Sequence, residues 1–117
     1  MLEIQATYKT PYILIDLDKN IIEIKGRSIP EIPFEFYQPI LDILKENKIN
    51  NLNITFDLEY FNSATAKFFI DLFKFIKKTN SKIIWLYSLG DDEILETGEN
   101  YKNLFKNDIN FELKIKT

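Results

Sequence analysis

Two hydroxyl side chains at the end of an alternating strand pattern are the groups in this sequence best placed to do chemistry. The stretch from Leu52 to Lys67 reads LNITFDLEYFNSATAK, and in it a strand pattern runs directly into a helix pattern. Ser63 lies at that junction, and Thr65 follows two residues later. Backbone N–H groups at a helix start lack intrahelical partners and lie at the positive end of the helix dipole, so they can receive a phosphate. The junction is therefore a candidate phosphorylation site.

A structural role competes with this interpretation, because Ser and Asn are both common helix N-caps. The sequence leaves open whether Ser63 is the cap, or whether Asn62 is the cap and leaves Ser63 exposed on the first turn. Lys67 lies four residues after Ser63, on the same helix face, and could pair with a phosphate there. Thr65 is the alternative acceptor, about 200° round the helix from Ser63, so the two hydroxyls cannot be presented to a partner in the same way.

Catalytic and metal chemistry have little support in the composition. The 117-residue chain has no Cys and no His, which removes thiolate nucleophiles, the commonest general base and the commonest metal ligand. Its three separated glycines cannot form a phosphate-binding loop. Residues 91–99 carry five carboxylates without calcium-loop spacing, and the helix dipole explains acids at a helix start. We expect a protein that is not an enzyme and holds no metal or cofactor.

The charge pattern narrows the class of partner. The net charge is −3 and no block of Lys or Arg occurs, which argues against binding to nucleic acid or to an anionic membrane surface. No apolar run approaches the roughly 18 residues of a membrane span, and the N-terminus lacks the features of a signal peptide. We expect a cytoplasmic protein. Arg27 is the sole arginine; it is either a solvated loop charge or a bidentate anchor for a partner carboxylate or phosphate.

Hydrophobic periodicity predicts one domain over residues 1–117, with the element order β-β-α-β-α-β-α-β. Strands are predicted at residues 12–17, 21–25, 52–60, 82–88 and 111–116, and helices at residues 34–47, 63–79 and 91–105. Residues 1–11 could add a short strand. The fold class is α/β (α+β), with a mixed sheet of four to five strands.

Details of these elements give further expectations. In the strand over residues 52–60, Leu58 and Tyr60 belong to the apolar face and the other face is polar, so helices should cover mainly one face of the sheet. Trp85 should be buried with its indole N–H bonded. Pro39 should mark a helix start or a kink, and Gly98 should weaken or break the last helix.

Three segments together resemble the SiaC family of regulatory phosphoproteins, small bacterial domains with a STAS-like fold similar to anti-sigma-factor antagonists. The segments are TPYILID with KGRSIPE, LEYFNSATAK, and WLYSLGDDEILETGE, and the resemblance extends over residues 10–113. Positions that match the family pattern are Gly26, Ser28, Pro30, Glu31, Tyr60, Asn62, Lys67, Trp85 and Tyr87. Ile29 and Ile32 replace the Tyr and Asn of the family loop, and Ser63 takes the place of a Thr.

The resemblance implies a switch based on protein interactions. The family's phosphoacceptor directly follows the Asn, which corresponds to Ser63, with Asn62 and Lys67 as its neighbours. A dedicated kinase would phosphorylate it and a PP2C-like phosphatase would reverse the reaction. The unmodified form would bind and stimulate a diguanylate cyclase, and so raise cyclic di-GMP and favour biofilm formation or aggregation. We predict that the residues contacting partners are Arg27, Ser28, Pro30, Glu31 and Tyr60.

A different class of function is also open at this point. Arg27 and the acidic start of the last helix could serve a small-ligand or nucleotide-binding module built on the same STAS-like fold.

Overall fold

Residues 1–116, which the computed structural model describes, form a six-stranded sheet covered by three helices. The elements in chain order are β1 (Leu2–Ile4), β2 (Tyr12–Asp16), β3 (Ile21–Ser28), α1 (Pro33–Glu46), β4 (Asn53–Phe61), α2 (Ser63–Ile76), β5 (Lys82–Tyr87), α3 (Asp92–Phe105) and β6 (Asn110–Ile115).

The strands lie in the sheet in the same order as in the chain. Strands β1, β2 and β3 pair antiparallel, whereas β3, β4, β5 and β6 pair parallel. Each parallel connection passes through one helix, and right-handed crossovers that advance in one direction put all the helices on the same face. The predicted mixed α/β class is therefore confirmed. The sheet has six strands instead of four to five, because residues 2–4 pair with β2 from Leu2↔Ile15 to Ile4↔Ile13.

The core lies between the helices and one face of the sheet. Ile54, Phe56 and Leu58 of β4 are buried, while the intervening Thr55 and Asp57 face the other side. The ring of Phe56 contacts aromatic rings from α2 and β5, with centroid distances of 5.1 Å to Phe69, 5.6 Å to Phe73 and 5.3 Å to Trp85. This aromatic layer holds α2 against the two central parallel strands.

Trp85 is fully buried, and its indole N–H donates a 2.9 Å hydrogen bond to the carbonyl of Ile94 in α3. Both features were predicted from the sequence and are confirmed. The same packing explains Gly98, because a Cβ at that position would lie 2.6 Å from Nε1 of Trp85 and 2.8 Å from a methyl carbon of Leu113. Helix α3 is continuous through Gly98, so the expected break there is wrong: the glycine permits close approach of the helix to the sheet.

Helix α1 begins with Pro33 in its first turn and continues through Pro39. A proline is well tolerated at the first helical position because its missing N–H has no intrahelical partner there. Two large apolar residues of the helices lie on the surface, since Phe34 is 69% exposed and Leu104 is 65% exposed. None of the helices within residues 1–116 has the length and hydropathy needed to cross a membrane.

Candidate phosphorylation and docking site

A bulge near the end of β4 changes which side chains reach the surface. Gly26 of β3 pairs with Leu58, but Arg27 pairs with Tyr60, so Glu59 is an extra residue in β4. Gly26 has φ of 111°, a left-handed conformation that glycine adopts without steric cost. After the bulge the alternation is inverted: Tyr60 is 50% exposed, while Phe61 packs against the core. The prediction that Tyr60 belongs to the core-facing set is therefore wrong, and its side chain is available at the surface.

Phe61 takes the inward position next to the start of α2. Its ring centroid lies 5.3 Å from that of Phe69 and 5.9 Å from that of Trp85. These contacts fix the direction in which the chain leaves β4, and helix α2 begins two residues later at Ser63.

Asn62 is the N-cap of α2. Its extended backbone has φ −84° and ψ 171°, and its side-chain oxygen accepts a 2.9 Å hydrogen bond from the N–H of Thr65. Ser63 is consequently the first residue of the helix, with an exposed side chain that capping does not require. The structure thus decides between the two capping alternatives in favour of Asn62. The N–H groups of Ser63 and Ala64 lie in the first turn, where no intrahelical carbonyl is available.

Thr65 occupies the opposite environment, with 0% exposure. Its hydroxyl donates a 3.1 Å hydrogen bond to the carbonyl of Ser28 at the end of β3. The same hydroxyl lies 3.1 Å from the Ser28 hydroxyl, which in turn lies 2.5 Å from the hydroxyl of Tyr37 in α1. A kinase could reach Thr65 only after this packing had opened.

The loop after β3 leaves two of the predicted partner contacts without exposed side chains. Ser28 and Pro30 are buried in this structure. The Ser28 hydroxyl points inward because Tyr37 and Thr65 supply its hydrogen bonds. Glu31 is exposed, and its carboxylate forms a 3.1 Å ion pair with Lys9.

The only arginine is held by the loop between β1 and β2. The guanidinium carbon of Arg27 lies 4.9 Å from the centroid of the Tyr8 ring, a cation–π geometry. The N–H of Ile29 donates a 2.8 Å hydrogen bond to the carbonyl of Lys9 in the same loop. Arg27 is half-buried beneath this contact and lies across from Tyr60 in the sheet.

Exposed apolar side chains are concentrated at the end of the sheet that carries Ser63. The parallel strands all finish there, and the chain segment before β2 lies beside the end of β3 because those two strands are antiparallel. We call this the apical surface; its large exposed apolar residues are Tyr8 (73%), Ile32 (54%), Phe34 (69%), Tyr60 (50%), Leu89 (87%) and Ile115 (39%). Exposed apolar residues gathered at one end of a domain are typical of a protein interaction site.

Ser63 lines a shallow cleft between the starts of α2 and α3. Three carboxylates also line it, from Glu59, Asp91 and Glu93. Asp91 caps α3, because its carboxylate accepts a 3.2 Å hydrogen bond from the N–H of Ile94. No group of three or more potential ligands within residues 1–116 is arranged to hold a metal ion. The cleft thus places an exposed hydroxyl in an acidic setting.

No pattern in the sequence indicates the contact among Ser28, Tyr37 and Thr65. Tyr37 lies among the apolar residues at helical spacing in residues 34–47, and a buried tyrosine needs a hydrogen-bond partner for its hydroxyl. Burial raises the pKa of Tyr37, with the Ser28 hydrogen bond acting in the opposite direction, so this phenol is neutral at physiological pH. Lys67 is exposed one turn after Ser63, as the spacing predicted.

A family model and solved structures resemble this chain over nearly its whole length. A family model described as SiaC family regulatory phosphoprotein matches residues 4–115. The crystal structure of apo-SiaC from Pseudomonas aeruginosa superposes with a TM-score of 0.79 at 22% identity, over 99% of this chain and 98% of that chain. A chain in the crystal structure of the P. aeruginosa diguanylate cyclase SiaD in complex with its activator SiaC gives a TM-score of 0.83 at 21% identity, over 98% of both chains. No curated protein sequence matches this chain.

Proposed function

Since the chain belongs to the SiaC family of regulatory phosphoproteins, we propose that it is a non-catalytic switch controlled by reversible phosphorylation of Ser63. In its unphosphorylated form it binds a diguanylate cyclase and stimulates it. The observation that carries this proposal is the contrast at the start of α2, where Ser63 is exposed and Thr65 is 0% exposed.

The local chemistry supports Ser63 as the acceptor. A kinase must align the serine hydroxyl with the γ-phosphate of ATP, which requires an accessible side chain. Asn62 provides the cap, so the hydroxyl of Ser63 is not used for capping and is free to accept a phosphate. The product phosphate lies at the positive end of the helix dipole, and Lys67 one turn later can pair with it.

The negative charge of the phosphate would switch partner docking off. A phosphoserine carries about −1.5 to −2 charge at neutral pH. On Ser63 it would join Glu59, Asp91 and Glu93 around the same cleft, beside the exposed Tyr60. A partner that covers this region would have to desolvate the phosphate next to like charges, which weakens docking.

The partner assignments follow from the family. The SiaC of P. aeruginosa is described as the activator of the diguanylate cyclase SiaD. We assign this chain a cognate cyclase of the same kind, together with a dedicated kinase and a PP2C-like phosphatase, acting in the cytoplasm. Arg27, Glu31 and Tyr60 are the predicted partner contacts that have at least partly exposed side chains. The output would be cyclic di-GMP and, through it, biofilm formation or aggregation.

The acceptor assignment is tested by incubating the wild type, Ser63→Ala and Thr65→Val with the cognate kinase and ATP. Intact-mass measurement counts the phosphates and peptide fragmentation places them. We expect one phosphate on the wild type and on Thr65→Val, and none on Ser63→Ala. Phosphate on Thr65 of the wild type, with Ser63 unmodified, would contradict the assignment.

A further inference from the structure

We propose that the buried hydroxyls of Ser28, Tyr37 and Thr65 position the start of α2 and couple the phosphorylation state of Ser63 to the end of β3. This inference rests on the proposed phosphorylation of Ser63. All three residues have 0% exposure, and each comes from a different element: Ser28 ends β3, Tyr37 lies in α1, and Thr65 lies in the first turn of α2.

Each hydroxyl has one proton to donate, and this decides which group is the donor in each of these hydrogen bonds. The Thr65 hydroxyl has one proton, and the carbonyl of Ser28 can only accept, so Thr65 donates to that carbonyl. The Ser28 hydroxyl must then donate to the Thr65 oxygen. With the Ser28 proton used, Tyr37 must donate to the Ser28 oxygen. The three hydroxyls therefore form a one-way chain from Tyr37 to Ser28 to Thr65 and back to the Ser28 carbonyl.

These hydroxyls join the phosphoacceptor turn to β3 by hydrogen bonds additional to those of the strand pairing. The Ser28 carbonyl accepts from the Thr65 hydroxyl and also, at 3.1 Å, from the backbone N–H of Asn62. The side-chain oxygen of Asn62 in turn accepts a hydrogen bond from the N–H of Thr65. Ser28, Asn62 and Thr65 are thus linked pairwise, so a displacement of any one must disturb hydrogen bonds of the other two.

A phosphate on Ser63 would act on this arrangement through the cap. Its oxygens are stronger acceptors than the amide oxygen of Asn62, and they lie within the same first turn of α2. Competition for the N–H of Thr65 would weaken the 2.9 Å cap and shift Thr65 relative to Ser28. The change would reach Ile29, whose N–H is bonded to the carbonyl of Lys9, and through it the loop that carries Tyr8 and covers Arg27.

The test uses the full chain with phosphoserine encoded at position 63, compared with the unmodified protein, and measures amide hydrogen exchange of Ile29 by NMR. We expect exchange at Ile29 to become about tenfold faster with phosphoserine, the change expected for one net hydrogen bond. In a Thr65→Val background the effect of phosphoserine should fall below about twofold, because the hydroxyl is absent while the shape is kept. Thr65→Ala provides a second hydroxyl-free variant if valine prevents folding.

Two further variants separate coupling from general stability. Thr65→Ser restores the hydroxyl and should restore the response to phosphoserine. Thr79→Val removes a comparable hydroxyl bond at the other end of α2, where Thr79 donates at 2.7 Å to the carbonyl of Ile76, and should leave the response intact. Unchanged exchange at Ile29 in the phosphorylated wild type, or an undiminished response in Thr65→Val, would overturn the proposal. Because no partner is present, the proposed function is tested separately by cyclase binding of the same proteins.

Discussion

The side-chain oxygen of Asn62 accepts a 2.9 Å hydrogen bond from the backbone N–H of Thr65, so the hydroxyl of Ser63 is not needed to cap the helix. Without it, Ser63 would be the obvious cap for α2 and its hydroxyl would be occupied. The two hydroxyl residues of this turn thereby lie in different environments. Ser63 is exposed at the surface, and Thr65 is buried beneath it.

The first prediction concerns this cap. Asn62→Ala should lower the free energy of unfolding by about 1 kcal/mol, because the N–H of Thr65 loses its acceptor. Asn62→Asp keeps an acceptor at the same place and should lie within a few tenths of wild type. Urea unfolding measures both. Asn103→Ala, on the exposed part of α3, is the matched control and should be neutral or slightly stabilising. Wild-type stability of Asn62→Ala would show that the cap is dispensable.

The second prediction concerns Gly98. In an exposed helix, replacing glycine by alanine stabilises by about 1 kcal/mol. Here the added methyl would meet Trp85 and Leu113, so Gly98→Ala should instead destabilise by about 1 to 3 kcal/mol. Fluorescence of the single tryptophan reports the unfolding transition directly. Glu99→Ala, the exposed neighbour, is the control. A more stable Gly98→Ala protein would mean that α3 lies further from β5 than the structure shows.

The third prediction is a dependence on alkaline pH. Burial raises the pKa of Tyr101 to about 12, while its hydroxyl donates a 3.0 Å hydrogen bond to the carbonyl of Ala66. Because the folded-state pKa lies above the ordinary value of about 10, this contribution to stability is complete below pH 10 and is lost between pH 10 and about 12. Wild type should therefore lose more stability than Tyr101→Phe when urea unfolding is compared at about pH 9 and about pH 11. Equal losses of stability in the two proteins would contradict a raised pKa of Tyr101 in the folded state.

The fourth prediction concerns docking. Tyr60 is 50% exposed on the apical surface, next to the cleft that contains Ser63. If the cyclase docks there, Tyr60→Ala should weaken its binding by about tenfold or more, as expected for an aromatic residue within an interface. Leu104→Ala removes a similarly exposed apolar side chain, 65% exposed in the C-terminal part of α3, and should leave the affinity unchanged. Calorimetric titration of the cyclase measures both. Equal effects of the two substitutions on affinity would show that the cyclase does not dock on the apical surface.

Most of the fold could be predicted from local pattern, because periodicity reflects which face of an element is buried. The alternation in β4 correctly gives Ile54, Phe56 and Leu58 as core residues. It fails at Glu59, because the bulge depends on how β4 pairs with Gly26 of β3, and β4 alone contains no sign of that register change. The short strand β1 also depends on pairing with β2 more than on its own three residues.

The candidate site was predicted less completely. The helix start at Asn62 and Ser63 could be predicted from local sequence, since capping and helix start are local properties, although the choice between the two caps stayed open. The inward position of Ser28 could not be inferred, because its partners Tyr37 and Thr65 are 9 and 37 residues away in the chain. Family motifs record that a residue is used without recording whether it faces the partner or the core.

We propose that phosphate on Ser63 switches off binding to the cyclase. The direct measurement is a titration of the cognate diguanylate cyclase with unmodified protein and with protein carrying encoded phosphoserine at position 63, recording affinity and cyclic di-GMP formation together. We predict that the unmodified form binds and stimulates the enzyme, that phosphoserine weakens binding by at least about tenfold, and that treatment with a phosphatase restores it. Equal affinity and equal stimulation by the two forms would show that phosphate on Ser63 does not control the cyclase.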